Sequence, residues 1–355
     1  MLASKTLQAL TLAAGTVLAT IAPQMSTALA AEALPSLGVS ADQTSVSGLS
    51  SGAYMAGQIQ VAHSKDIVGA GLVAGGPYGC AETETSQWLP FWPLAVGQNT
   101  AQALNACMKT EWGVPDAGER VERAKELAEE GEIDPLSGLG SDKVYLYSGK
   151  QDETVTRPVV EAAKAFYEKA GVPAANISYV EGEGGHAFLT ETEGGACGVT
   201  AEPFISDCDY GQAKAILSWI YGDTATPTDA PKGKFSFFDQ SPFAEPGDGF
   251  ADEGVLYVPE ACASQAGCRL HIVLHGCEQS REAVGDDFVR KSGFADLADT
   301  NRLVLLFPQA EASTTNPKGC WDWWGYTGLD YLGKDAPQIS AIWAMVEKLQ
   351  KAPGG

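Results

Sequence analysis

Residues 45–58 read SVSGLSSGAYMAGQ, and within them a strand-like run, Thr44 to Gly48, passes into a helical one through Gly48-Leu49-Ser50-Ser51-Gly52. A turn this sharp closes only where small residues flank it, and it leaves the central serine exposed above a strand end. A chain built around it must layer helices on a sheet. The remaining pattern agrees. Strands are expected at 44–49, 67–75, 143–148, 177–181, 234–239, 254–258, 270–275 and 302–307, and helices at 52–64, 117–130, 157–170, 211–221, 285–298 and 337–351. That alternation is the signature of an α/β fold whose mostly parallel sheet is flanked by helices.

Two stretches fit neither period. Residues 81–140 carry Trp88, Trp92, Trp112 and the charged run GERVERAKELAEEGE, and residues 308–335 carry Trp321-Asp322-Trp323-Trp324. Excursions of this length between sheet elements are expected to form a lid or a substrate wall. Residues 223–232 read as a surface connection, so 31–355 is expected to be a single domain.

Residues 1–30 hold one charge, Lys5, then an apolar run from Leu7 to Ile21, and end in Ala28-Leu29-Ala30. This is the pattern of a secretory signal peptide. No later run reaches the roughly 20 apolar residues that a membrane span needs. The net charge of −22 argues against a nucleic-acid partner, which requires a basic face. Eight cysteines in an exported chain imply disulfides. Local spacing favours Cys197–Cys208 and Cys262–Cys268, leaving Cys80–Cys107 and Cys277–Cys320. No cysteine pair has CxxC spacing, so no metal or redox site is expected.

A serine nucleophile needs a base, and the chain has four histidines. His63 falls in the helix after the turn, facing away. His271 lies inside a strand, where a core role fits. His275 opens His275-Gly276-Cys277 at a strand end and suits an oxyanion loop. His186 follows ISYVEG in a glycine-rich loop at a strand's C-terminal end, the place for a base. Asp152, just after the strand KVYLYS, is the expected orienting acid, with Glu153 its nearest competitor. The oxyanion donors are expected to be the N–H groups of Ser51 and Cys277.

The order Ser50, Asp152, His186 is that of α/β-hydrolases. In that fold, however, several strands precede the serine. Here those elements, 234–239 through helix 337–351, come last, as in a circular permutation with the termini recut ahead of the nucleophile strand. The stretches VSGLSSGAYMAGQ, AGGPYGC, VYLYSGKQDETV, SWIYG, LYVPEACAS, LHGCEQS, DTNRLVLLFPQA and GCWDWWGY resemble the circularly permuted, single-domain poly(3-hydroxybutyrate) depolymerases of the secreted Penicillium type. The insert 81–140 is longer and more charged than in the fungal pattern.

The resemblance implies a secreted (extracellular or periplasmic), monomeric serine esterase without metal or cofactor, acting on a polyester polymer or oligomer. It implies Ser50, Asp152 and His186 as triad, and Trp323, with Trp321 and His275 beside it, as substrate contacts. A carboxylesterase for feruloyl or acetyl esters would use the same machinery. A non-catalytic polymer-binding protein would not need all three triad members.

Overall fold

The computed structural model describes residues 31–84, 92–222, 224–228 and 230–354; the expected signal peptide at 1–30 and Trp88 lie outside them. Every element described belongs to the unit Ala31–Gly355. The strands run β1 (Thr44–Leu49), β2 (Ile67–Val73), β3 (Lys143–Gly149) and β4 (Ile177–Gly182). Three short ones come next, β5 (Phe188–Thr190), β6 (Gly195–Ala196) and β7 (Ile205–Asp207). The last four are β8 (Lys234–Asp239), β9 (Glu253–Val258), β10 (Arg269–Leu274) and β11 (Leu303–Phe307). Eight form one sheet in the order β4-β3-β2-β1-β10-β11-β9-β8, and β5-β7-β6 form a small parallel sheet. From β4 to β11 the neighbours are parallel; β9 and β8 join antiparallel.

Strand β1 sits mid-sheet with all six residues buried. A strand covered on both faces needs a continuous apolar run rather than alternation, which LVLLF in β11 supplies. The polar exceptions in the sheet satisfy one another. Ser45 Oγ and Ser47 Oγ lie 2.6 and 2.8 Å from the two ring nitrogens of His271. Burial pushes that imidazole down to about 3, so it is a neutral core residue.

The helices are α1 (Ser51–Ala62), α2 (Trp92–Gln102), α3 (Ala117–Glu130), α4 (Arg157–Ala170) and α5 (Gln212–Tyr221). Then come α6 (Glu260–Ser264), α7 (Arg281–Val284), α8 (Asp287–Lys291), α9 (Phe294–Asn301) and α10 (Pro337–Gln350). Helix α1 is buried throughout, consistent with a sequence apolar on most faces. Asp116 caps α3 by accepting the N–H groups of Gly118 and Glu119, and Gly131 and Gly171 end α3 and α4 in the left-handed region. His63 closes α1 and stacks on Trp343 at 3.8 Å, and burial lowers its imidazole to about 4.

The expected single helix at 285–298 is instead two pieces, α8 and α9, with the short α7 ahead of them. Gly285 and Gly293 adopt φ of 63° and 83° and set the breaks. The small sheet was not anticipated, and neither was α2 with the π-helical turn Ala103–Met108 that continues it. All four expected disulfides are present. The N–H groups of Leu37 and Val39 donate to Leu349 O and that of Gly38 to Lys351 O, joining the lead-in to β1 to the end of α10. Among the described residues, no helix is long and apolar enough to cross a membrane.

Candidate active site

Ser50 stands between β1 and α1 with φ 57° and ψ −120°, a strained conformation for a residue with a side chain. Its N–H donates to Val73 O at 2.9 Å, pinning the turn to the neighbouring strand. A Cβ on Gly48 would overlap the Gly52 carbonyl, and one on Gly52 would overlap the carbonyl oxygens of Leu274 and His275. The two glycines flanking the serine are therefore steric necessities.

Asp152 leaves β3 three residues beyond its end, and His186 sits in the loop after β4, the adjacent strand. His186 Nδ1 donates to Asp152 Oδ2 at 2.8 Å, with both side chains buried. Asp152 Oδ1 accepts the N–H groups of Thr154 and Val155 at 2.8 and 2.9 Å, which fixes the carboxylate independently of the imidazole. The His186 N–H donates to Thr200 Oγ1 at 2.8 Å, tying this loop to the small sheet. With Nδ1 committed to the carboxylate, Nε2 is left with its lone pair.

Ser50 and His186 open on one cavity of about 500 Å³ whose lining is mostly apolar. Leu104 and Met108 of the π-helical turn form one wall, and Trp323 and Trp324 another. Trp323 stacks on Tyr54 of α1 with centroids 4.1 Å apart. Gly276, Cys277 and Phe204 also line it, with Gly276 against Ser50. Ser51 occupies the first position of α1, where backbone N–H groups lack intrahelical partners. The Cys277 loop is held by the Cys277–Cys320 disulfide and by the Glu278 N–H, which donates to Lys318 O at 2.7 Å.

Two expected substrate contacts are placed elsewhere. Trp321 is fully buried and does not line the cavity; its backbone N–H donates to Ser51 Oγ at 3.3 Å and its ring packs on His275 and Phe250. His275 is 1% exposed and its nitrogens face Gly276 O and the Ala310 N–H. Both are corrected to interior residues: the Trp321 ring packs on His275 and Phe250, and both His275 ring nitrogens have protein partners.

Sequence reasoning passed over Thr154, Thr200 and Phe204, which line the cavity together with Trp324 of the expected wall 308–335. It also passed over Asp322, whose carboxylate accepts the N–H groups of Trp324, Gly325, Tyr326 and Thr327 and the Thr327 hydroxyl. Burial pushes that carboxyl up. An aspartate three residues before Gly325 is a turn signal that could have revealed it.

The chain matches no family model. It is 40% identical over 332 residues to a poly(3-hydroxybutyrate) depolymerase of Delftia acidovorans, covering 92% of this chain and 63% of that protein, so it spans less than two thirds of that relative. It is 36% identical over 339 residues to a polyhydroxybutyrate depolymerase of Talaromyces funiculosus, covering 90% of this chain and 93% of that one. Among solved structures, a PHB depolymerase from Penicillium funiculosum superposes with a TM-score of 0.79 at 34% identity, covering 90% of this chain and 98% of that one. A serine-to-alanine variant of a PHB depolymerase complexed with an R3HB trimer matches equally well. Fold and sequence agree over the length of the described unit: the fold is that of the α/β-hydrolases, and the chain belongs to the polyhydroxybutyrate depolymerase family.

Proposed function

We propose that the chain is an exported, monomeric serine esterase that hydrolyses ester bonds of poly- or oligo-(R)-3-hydroxybutyrate through an acyl-enzyme. The observation that carries this reading is the buried Asp152–His186 pair opening beside Ser50 on an apolar cavity. Three of the four histidines are consumed in the interior: burial lowers His63 and His275 to about 4 and His271 to about 3. His186 is the one that meets a carboxylate at the cavity.

In this mechanism Ser50 Oγ attacks the ester carbonyl while His186 Nε2 takes its proton. Asp152 holds the Nδ1–H and stabilises the imidazolium. The N–H groups of Ser51 and Cys277 receive the tetrahedral oxyanion, and His186 returns the proton to the leaving alkoxide. Water, activated by the same imidazole, then releases the acid. An aliphatic polyester suits walls built from Leu104, Met108 and Trp323. The likeness to a depolymerase complexed with an R3HB trimer supports the substrate class. Four disulfides support an oxidising compartment. The strand order supports a permuted arrangement.

The test is a paired assay with Ser50→Ala as control. Clearing of amorphous polyhydroxybutyrate with release of hydroxybutyrate is expected, and it is expected to vanish in the variant. Turnover confined to feruloyl or acetyl esters would replace the depolymerase reading with the carboxylesterase one.

A further inference from the structure

A backbone N–H can stabilise an oxyanion only while its peptide plane points it at the reacting carbonyl. The N–H of Cys277 belongs to the peptide whose oxygen is Gly276 O. In a trans peptide that oxygen and hydrogen point in opposite directions, so whatever holds the oxygen aims the hydrogen. His275 lies 2.7 Å from Gly276 O through Nδ1. A carbonyl only accepts, so Nδ1 carries the proton. The other ring nitrogen, Nε2, accepts the Ala310 N–H at 3.1 Å, which demands the same tautomer. Both nitrogens are thus assigned by independent partners, and the ring is clamped against Trp321 at 5.2 Å.

The flanking peptides have their own anchors. The Gly276 N–H donates to Gln279 Oε1 at 2.8 Å, and Gln279 Nε2 donates to Pro203 O and Phe204 O, both at 3.0 Å. On the far side, the Glu278 N–H donates to Lys318 O. The peptide between these two anchors is the one oriented by the imidazole.

Resting on the serine-esterase reading, we propose that His275 is a positioning residue that aims the Cys277 N–H into the cavity by holding Gly276 O. It contacts neither substrate nor Ser50. Its contribution is to the transition state, when the oxyanion forms, and little to ground-state binding.

Two variants separate this role from plain structural support, assayed on a soluble short-chain p-nitrophenyl ester. His275→Leu removes both ring contacts. His275→Asn puts an amide N–H near the Nδ1 position, so the bond to Gly276 O can persist, but the acceptor for the Ala310 N–H is lost. Both variants are expected to lower Tm, since each loses the acceptor for the Ala310 N–H. His275→Leu is expected to reduce kcat by about ten- to a hundredfold with KM within about threefold of wild type, while His275→Asn recovers most of kcat.

Equal kcat in the two variants, or wild-type kcat in His275→Leu, overturns the proposal. If His275→Leu does not fold, His275→Asn alone decides: kcat within a few-fold of wild type supports it, and a loss as large as about a hundredfold overturns it. Ser50→Ala assayed alongside keeps the two readings apart. Residual turnover there would sink the serine-esterase reading, whereas an inactive Ser50→Ala beside a fully active His275→Leu would sink only the positioning role.

Discussion

Asp152 meets His186 through one carboxylate oxygen, at 2.8 Å, and the backbone N–H groups of Thr154 and Val155 through the other. The division of labour matters because each oxygen's partners fix the other's direction. The turn Asp152–Val155 locks the carboxylate, and the carboxylate locks the imidazole tautomer.

Replacing Asp152 with asparagine should expose that dependence. Oδ1 can keep its two backbone donors, but the amide N–H₂ then faces His186 Nδ1 and favours the wrong tautomer. A fall in kcat of about a thousandfold or more is expected, with Tm nearly unchanged. Steady-state kinetics on a soluble ester, paired with thermal unfolding, reads both. A loss of activity that merely tracks a loss of stability would contradict the tautomer argument.

The turn around Ser50 makes a harsher prediction. Gly52 abuts two carbonyl oxygens of the β10 end, so even one added carbon forces α1 away from the oxyanion loop. Gly52→Ala should lose essentially all turnover and several degrees of Tm. Gly97, whose Cβ would meet nothing, is the matched control, and Gly97→Ala should leave both intact. Comparable activity in the two variants would mean that the turn can relax.

Much of this arrangement was legible in the sequence because it rests on local signals. The limits of β1, α3 and α4 come from apolar period, an aspartate cap and terminal glycines. Asp152 and His186 meet because their loops leave the C-terminal ends of adjacent parallel strands, a relation that the strand–helix alternation already implies. What escaped was decided by long-range partners. Trp321 and Trp323 are two residues apart and chemically alike. The ring of one packs in the core on His275 and Phe250, while the other stacks on Tyr54 and faces the cavity. The small sheet that brings Thr200 and Phe204 to the site has strands of two or three residues, too short to show any period.

The Cys277–Cys320 disulfide closes a span of 43 residues and joins the oxyanion loop to the tryptophan wall. Removing it with Cys277→Ala/Cys320→Ala should cost about 3–4 kcal/mol of stability by freeing that span in the unfolded chain. It should also lower kcat, since the Cys277 N–H loses one of its restraints. Removing Cys262–Cys268, which closes a span of 6 away from the cavity, should cost less and leave kcat at the wild-type level. Urea unfolding and ester turnover measured on both double variants check the contrast. Equal kinetic effects would disconnect the disulfide from the oxyanion loop.

Asp142, immediately before β3 and not among the residues lining the cavity, should make stability depend on pH. It is 2% exposed, and Oδ2 accepts from Gln60 Nε2 at 3.0 Å, while Gln60 Oε1 has no partner. Burial raises its carboxyl from 3.8 to about 7, with the Gln60 bond pulling the other way. The folded protein therefore holds this proton more tightly than the unfolded chain does. Stability from this group is fully present below about pH 4, and is lost as pH rises toward and through 7. Asp142→Asn removes the titration and can offer an N–H to Gln60 Oε1. The variant should match wild type near pH 4 and exceed it by about 2–4 kcal/mol at pH 8. Urea titrations at the two pH values decide it: a difference that does not grow with pH would show that the buried carboxyl ionises as freely in the folded protein as in the unfolded chain.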